Sequence, residues 1–131
     1  MPELKFSITS SPDYCLLQAQ GTIDYEAIEN FKSILRQDEI LKAQNLILDL
    51  TAVSTLSSTG IGVILWSEIQ CRQLGARLII MCPNKKICKD IQFLSSGEMI
   101  LTSNLPAAVQ YAQEHLEALK SESEVLLSQP S

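Results

Sequence analysis

The run Leu46-Ile47-Leu48-Asp49-Leu50, a short polar link, and then Ser57-Ser58-Thr59-Gly60-Ile61-Gly62-Val63 decide how this chain folds. Four of the first five residues are apolar, which suits a strand covered on one or both faces in a parallel or mixed sheet. Beyond the hydroxyl cluster, Ile61, Ile64, Leu65 and Ile69 recur at spacings of three to four and predict an amphipathic helix. A buried strand that passes into a helix through hydroxyl residues displays those hydroxyls beside first-turn N–H groups that lack intrahelical acceptors. The helix dipole adds partial positive charge there, so an anion is favoured. On residue type alone, Ser57 reads as an N-cap and Ser58, Thr59 and Gly60 as ordinary first-turn residues.

Outward from this stretch, Lys5–Ser10 and Tyr14–Thr22 read as two strands joined by the turn residues Ser11-Pro12-Asp13. Asp24 is placed to cap a helix whose stripe is Ala27, Ile28, Phe31, Ile34 and Leu35, ending near Gln37. The helix from Ser58 is expected to reach Leu74 and stop at Gly75. Arg77–Cys82 is a further strand, Lys85–Leu94 a helix broken by Ser95-Ser96-Gly97, and Met99–Leu101 a short last strand. Ser103 or Asn104 caps a final helix, with Pro106 in its first turn, continuing through Ala108, Tyr111, Ala112, His115, Leu116 and Leu119 to about Lys120. Residues 1–120 then form one domain and 121–131 a polar C-terminal tail. Alternating strands and helices indicate an α/β layer arrangement with a largely parallel sheet.

The chain has 131 residues and a formal charge of −5, with one basic cluster at Lys85, Lys86 and Lys89. A nucleic-acid binder carries a basic stripe, so nucleic acid is not an expected partner. The longest apolar runs are too short to span a bilayer, and no charged-then-apolar leader opens the sequence; the expected location is cytoplasmic, without membrane insertion. Cys15, Cys71, Cys82 and Cys88 form no Cys-x-x-Cys pair and His115 is the one histidine, so no metal site is expected. Cys15 and Cys82 lie in apolar strand runs and read as core.

The same residues carry a resemblance to a known family. Asp49-Leu50 with Ser57-Ser58-Thr59-Gly60, and upstream Gly21-Thr22-Ile23-Asp24, resemble the motifs of the STAS domain (sulfate transporter and anti-sigma factor antagonist), in its small anti-sigma factor antagonist form. The likeness runs from about Phe6 to about Val109 and loosens after Lys89. It implies a single-domain STAS-like fold: a mixed, mostly parallel sheet of four to five strands with four to five helices. The family's phosphorylated serine matches Ser58, with Ser57 and Thr59 as neighbouring hydroxyls to which the acceptor can be displaced. The acid that precedes the family's serine is replaced by Ser57.

The resemblance therefore implies a regulatory binding protein whose partner is an anti-sigma factor with serine kinase activity. The partner-binding residues it points to are Asp24, Ser57, Ser58, Thr59, Gly60 and Ile61, within a surface running along the helix to Ser67 and across Asp24–Ile28. The alternatives are an accessory STAS subunit of an ABC-type membrane transport assembly, or a scaffold that works without phosphorylation. No cofactor and no catalytic residue is expected. Asp24 and Asp49 come without a nucleophile or a histidine, and Gly60 with Gly62 does not fit a phosphate-binding loop. His115 and Trp66 read as packing residues on patterned helices, and Lys85-Lys86 as solvated surface.

Overall fold

The computed structural model describes residues 4–95 and 99–128, with side chains to Glu124. Lys5–Ser10 (β1) pairs antiparallel with Cys15–Ile23 (β2). A 3-10 turn at Tyr25–Ala27 leads into Ile28–Leu35 (α1), and Asp38–Leu41 adds a single helical turn (α2). Asn45–Leu56 (β3), Ser58–Gln73 (α3), Arg77–Met81 (β4), Lys85–Ser95 (α4), Ile100–Thr102 (β5) and Leu105–Ser128 (α5) complete the chain. The sheet runs β1-β2-β3-β4-β5, with every pair after the first parallel. Five strands and five helices among the described residues match the expected α/β class.

The strands step across the sheet in one direction, so same-handed crossovers send α1 to α4 to a single face. The larger core lies there, joining Leu46, Leu48 and Leu50 of β3 to Ile28, Phe31, Ile61, Ile64, Ile87 and Ile91. Phe31 is fully buried and stacks on Phe6, ring centroids 5.9 Å apart. Burial of such a ring is worth roughly 1.5–3 kcal/mol. On the opposite face α5 lays Ala108 and Ala112 on Leu16, Ile47, Ile79 and Met81. Covered on both sides, β3 needs the near-continuous apolar run by which it was read.

Several boundaries differ from the sequence reading. β3 does not end at Leu50 but continues to Leu56, paired with β2 alone after Asp49 meets Met81. Register shifts between Gln18 and Gln20 and between Gly21 and Thr22 insert extra residues into β3. Burial there falls on Leu50, Val53 and Leu56, every third residue, so the two-residue period is lost. α2 was missed because four residues are too few to show a helical period, although Ile40 is buried. α1 stops at Leu35 rather than near Gln37, and α5 continues past Lys120 to Ser128 as helix. Ile69, placed in the α3 stripe from its spacing, is 51% exposed. It lies five residues beyond Ile64, about 140° round the helix at ~100° per residue. The buried face runs through Gly60, Ile61, Val63, Ile64 and Ser67. Leu94 and Tyr111 are likewise exposed. Ser96 and Gly97, read as the break after α4, lie outside the described residues, as do the side chains of Val125–Leu127.

The far end of β3 is tied down by Asn45, which is fully buried. Its Nδ2 donates to the carbonyls of Asp13 and Ala112, both at 3.1 Å. With both amide hydrogens used, Oδ1 accepts from His115 Nδ1 at 2.9 Å, so Nδ1 carries the proton. Burial, then the nearby Arg77, hold the His115 pKa below its ordinary value. The unfolded chain therefore takes up a proton before the folded one as pH falls, and folded stability declines below about pH 6.5. We predict that the stability advantage of the native protein over His115→Gln shrinks between pH 7.5 and 5.5 in paired urea titrations. A constant difference contradicts this.

Candidate functional site

The extension of β3 beyond β4 carries the start of α3 to the tip of a two-stranded ribbon. There the Ser57 N–H donates to the Ile23 carbonyl at 2.8 Å, which sets Asp24 beside the hydroxyl cluster. Ser57 is the N-cap, its extended backbone at φ −73°, ψ 162° and its Oγ accepting from Gly60 N–H at 3.1 Å. Ser57 is half-buried, whereas Ser58 and Thr59 are exposed on the first turn of a sixteen-residue helix. No acidic residue stands in that turn. An anion on Ser58 would therefore meet the positive helix end with no carboxylate from the helix's own first turn.

Asp24 caps as expected, though the element it caps is the 3-10 turn: Oδ1 accepts from Ala27 N–H at 3.1 Å. Next to it Tyr25 is 81% exposed and Glu26 is exposed. Nothing in the residue pattern set Tyr25 apart, because its exposure follows from the tight turn that holds it off the core. Gly60 and Ile61, placed among the partner-contacting residues, are buried, and so is Ser67. They shape the surface from beneath; the accessible positions are Ser58, Thr59 and Gly62 on α3, and Tyr25 and Glu26 on the 3-10 turn that follows Ile23.

Gly60 explains the tight junction. A Cβ at this position would stand 2.8 Å from Leu56 Cδ1, 2.9 Å from Ile23 Cγ2 and 3.4 Å from the Ile23 carbonyl. The absence of a side chain at Gly60 thus permits close helix–sheet packing. Gly62 is exposed with nothing within 4 Å of such a Cβ.

The other candidates fall away from this place. Asp49 pairs in register with Gln18 and Asp24 follows Ile23, which is paired with Leu56. Several residues of strand, about 20 Å at ~3.3 Å each, separate the two carboxyl groups. Trp66 is half-buried with the Arg36 guanidinium 5.6 Å from its ring centroid, a cation–π contact worth about 0.5–1 kcal/mol where exposed. Cys15 and Cys82 are buried as expected. Burial pushes the Cys71 and Cys82 thiols up to about 11 and raises Cys15, which disfavours the reactive thiolate. The Lys85-Lys86 helix start is capped by Asn84 Oδ1, which accepts from both Lys86 and Ile87 N–H groups. Among the described residues no group of three acidic, cysteine or histidine side chains is arranged to hold a metal, and no helix is long and apolar enough to cross a membrane.

Comparison with known proteins agrees with the architecture. The family model for the STAS domain matches residues 5–112. No curated protein sequence matches the chain. Among solved structures, an anti-sigma factor antagonist from Mycobacterium paratuberculosis superposes with TM-score 0.71 at 14% identity, covering 85% of this chain and 95% of its own. The anti-sigma factor antagonist SpoIIAA in its unphosphorylated form gives 0.69 at 18% identity, over 84% of this chain and 97% of its own. The phosphorylated form of SpoIIAA, from Bacillus, gives 0.64 at 17% identity, over 82% and 98%. At these identities the likeness establishes a shared fold.

Two predictions follow from the junction. Gly60→Ala is expected to destabilise the protein by about 1–3 kcal/mol through overpacking, and Gly62→Ala to stabilise it by roughly 0.5–1 kcal/mol as a helix-interior replacement. Thermal melts of the two variants would give opposite signs; equal effects would mean the close approach does not govern Gly60. Ser57→Ala should cost about 1 kcal/mol as a lost cap, whereas Ser57→Asp keeps the acceptor and should cost little in the same melts.

Proposed function

The chain belongs to the STAS domain family, and we propose that it acts as an anti-sigma factor antagonist, a regulatory binding domain rather than a catalyst. Its partner on this reading is an anti-sigma factor with serine kinase activity, and docking is controlled by phosphorylation of Ser58. One observation carries the proposal: the Ser58 side chain is exposed on the first turn of α3, on a helix whose capping is already supplied by Ser57.

That division of labour favours Ser58 over its neighbour as acceptor. The Ser57 hydroxyl is occupied by the Gly60 N–H and half-buried, so modifying it would break the cap. Ser58 can accept a phosphate without loss of any hydrogen bond that holds the fold. The group adds about −1.5 to −2 charges and three strong acceptors at neutral pH. The helix end tolerates this charge, with a gain of ~0.3–1 kcal/mol where exposed. A partner surface shaped to small neutral Ser58, Thr59 and Gly62 meets a bulky dianion, next to Asp24 and Glu26. Binding is lost through the altered contact surface, with no internal rearrangement required. Soluble action in the cytoplasm belongs to the same proposal.

The test is incubation of the full chain with its cognate kinase and ATP, mass mapping of the product, and binding measured before and after. Phosphate on Ser58 with loss of the complex is expected, Ser58→Ala staying bound in the presence of ATP and Ser58→Glu binding weakly. A product bearing no phosphate on Ser57, Ser58 or Thr59 removes the switch and leaves a constitutive binder.

A further inference from the structure

α5 covers only part of its face of the sheet. Beyond Leu16 and Ile47, which it buries, the same face continues with Gln18 and Asp49, and β1 adds Ser7 and Lys5. Pairing sets Ser7, Gln18 and Asp49 in one row across three strands, about 4.8 Å apart from strand to strand. Lys5 and Gln20 form the next row. These side chains, with Thr51, line an open cleft of about 500 Å³, within the size range of small-molecule sites.

Asp49 gives this cleft its chemistry. Its side chain is buried, with 7% relative exposure, yet among the described residues no lysine, arginine or histidine is paired with it; the ion pairs found are Lys32–Glu29 and Arg72–Glu68. Oδ1 accepts from the Thr51 N–H at 2.8 Å, a bond that pins the extra residue of β3. Oδ2 has a single contact, Gln18 Nε2 at 3.4 Å, at the outer limit of a hydrogen bond. A buried carboxyl without a counter-charge is costly in a purely structural role. With its amide nitrogen turned toward Asp49, Gln18 has Oε1 left as an acceptor, and the Ser7 hydroxyl lies on its other side.

We propose that this cleft binds a small molecule carrying a primary ammonium group. Asp49 Oδ2 offers such an ammonium a charged acceptor and the adjoining Gln18 Oε1 a second, while Ser7, two strand spacings from Asp49, borders the cleft. Lys5, exposed in the neighbouring row, supplies a cation for a carboxylate at the other end of the ligand, so a short amino acid with separated charges fits better than a diamine. A guanidinium fits less well, because its paired donors need both carboxylate oxygens and Oδ1 is already engaged. The site faces away from α3 and does not depend on Ser58.

The experiment is an NMR titration of the full chain with γ-aminobutyrate, putrescine and butyrate. Both amines are expected to shift the amide signals of Ser7, Gln18 and Thr51 saturably, while butyrate alone does not. Asp49→Asn, which keeps an acceptor for the Thr51 N–H, should weaken the amines about tenfold or more, as expected for losing a charged hydrogen-bond acceptor. If that variant does not fold, Gln18→Leu provides the same reading through a second acceptor. Lys5→Gln should weaken γ-aminobutyrate and leave putrescine unchanged; if both amines are unaffected, the Lys5 assignment is overturned. Absence of any shift at tens of millimolar amine, or shifts that persist in the Asp49 and Gln18 variants, overturns the site.

Discussion

The close approach of the α3 backbone to the β2–β3 ribbon at Gly60 is the constraint on which the candidate site depends. Leu56, Ile23 and the Ile23 carbonyl fill the space a side chain would need. Because the helix start is pressed onto the ribbon here, Ser57 is held at the cap and Ser58 and Thr59 are turned outward. The Ser57 N–H to Ile23 carbonyl bond then ties the start of Asp24 to the same junction. A small residue in the interior thus sets the display of polar residues outside it.

The cap chemistry bears on how a charge change at Ser58 is felt. A carboxylate at the capping position would compensate the helix dipole in advance, but this chain uses a neutral hydroxyl there and no acid in the first turn. Asp24, the nearest carboxylate by connectivity, has an oxygen committed to the Ala27 N–H. On the proposed function, a phosphate on Ser58 would therefore meet a helix end whose own first turn carries no acid.

The elements most legible in the sequence were those in which one physical signal dominates. The apolar run of Leu46–Leu50 marked a buried strand, which the two cores show to be covered on both faces, and Gly75, at φ +74°, ended the helix after it. Asp24 and Asn104 were readable as caps because a short side-chain oxygen meets a free N–H three residues on. What escaped were features set by tertiary register. The third-residue burial of Leu50, Val53 and Leu56 arises from pairing with β2, and no local pattern encodes it. Ile69 was assigned inward because it is apolar, yet the helix phase fixed by Gly60 turns it out and turns Ser67 in. Ser57, Ser58 and Thr59 were identified as a group; which of them caps and which face solvent required the hydrogen-bond geometry.

β3 joins these features in one strand. At its beginning Asn45 locks the strand to the β1–β2 turn and to α5 through two carbonyls and His115. At its middle Asp49 holds the first extra residue through the Thr51 N–H, just where β4 ends and the strand continues with a partner on one side only. An unpaired edge without charge or proline would invite pairing with other chains, and irregular register is a known means of blunting it. Seen this way, the carboxyl of Asp49 and the hydroxyl of Ser58 answer to the same strand but to opposite demands. The first is held under cover by the register, and the second is carried out by it to where a partner can reach.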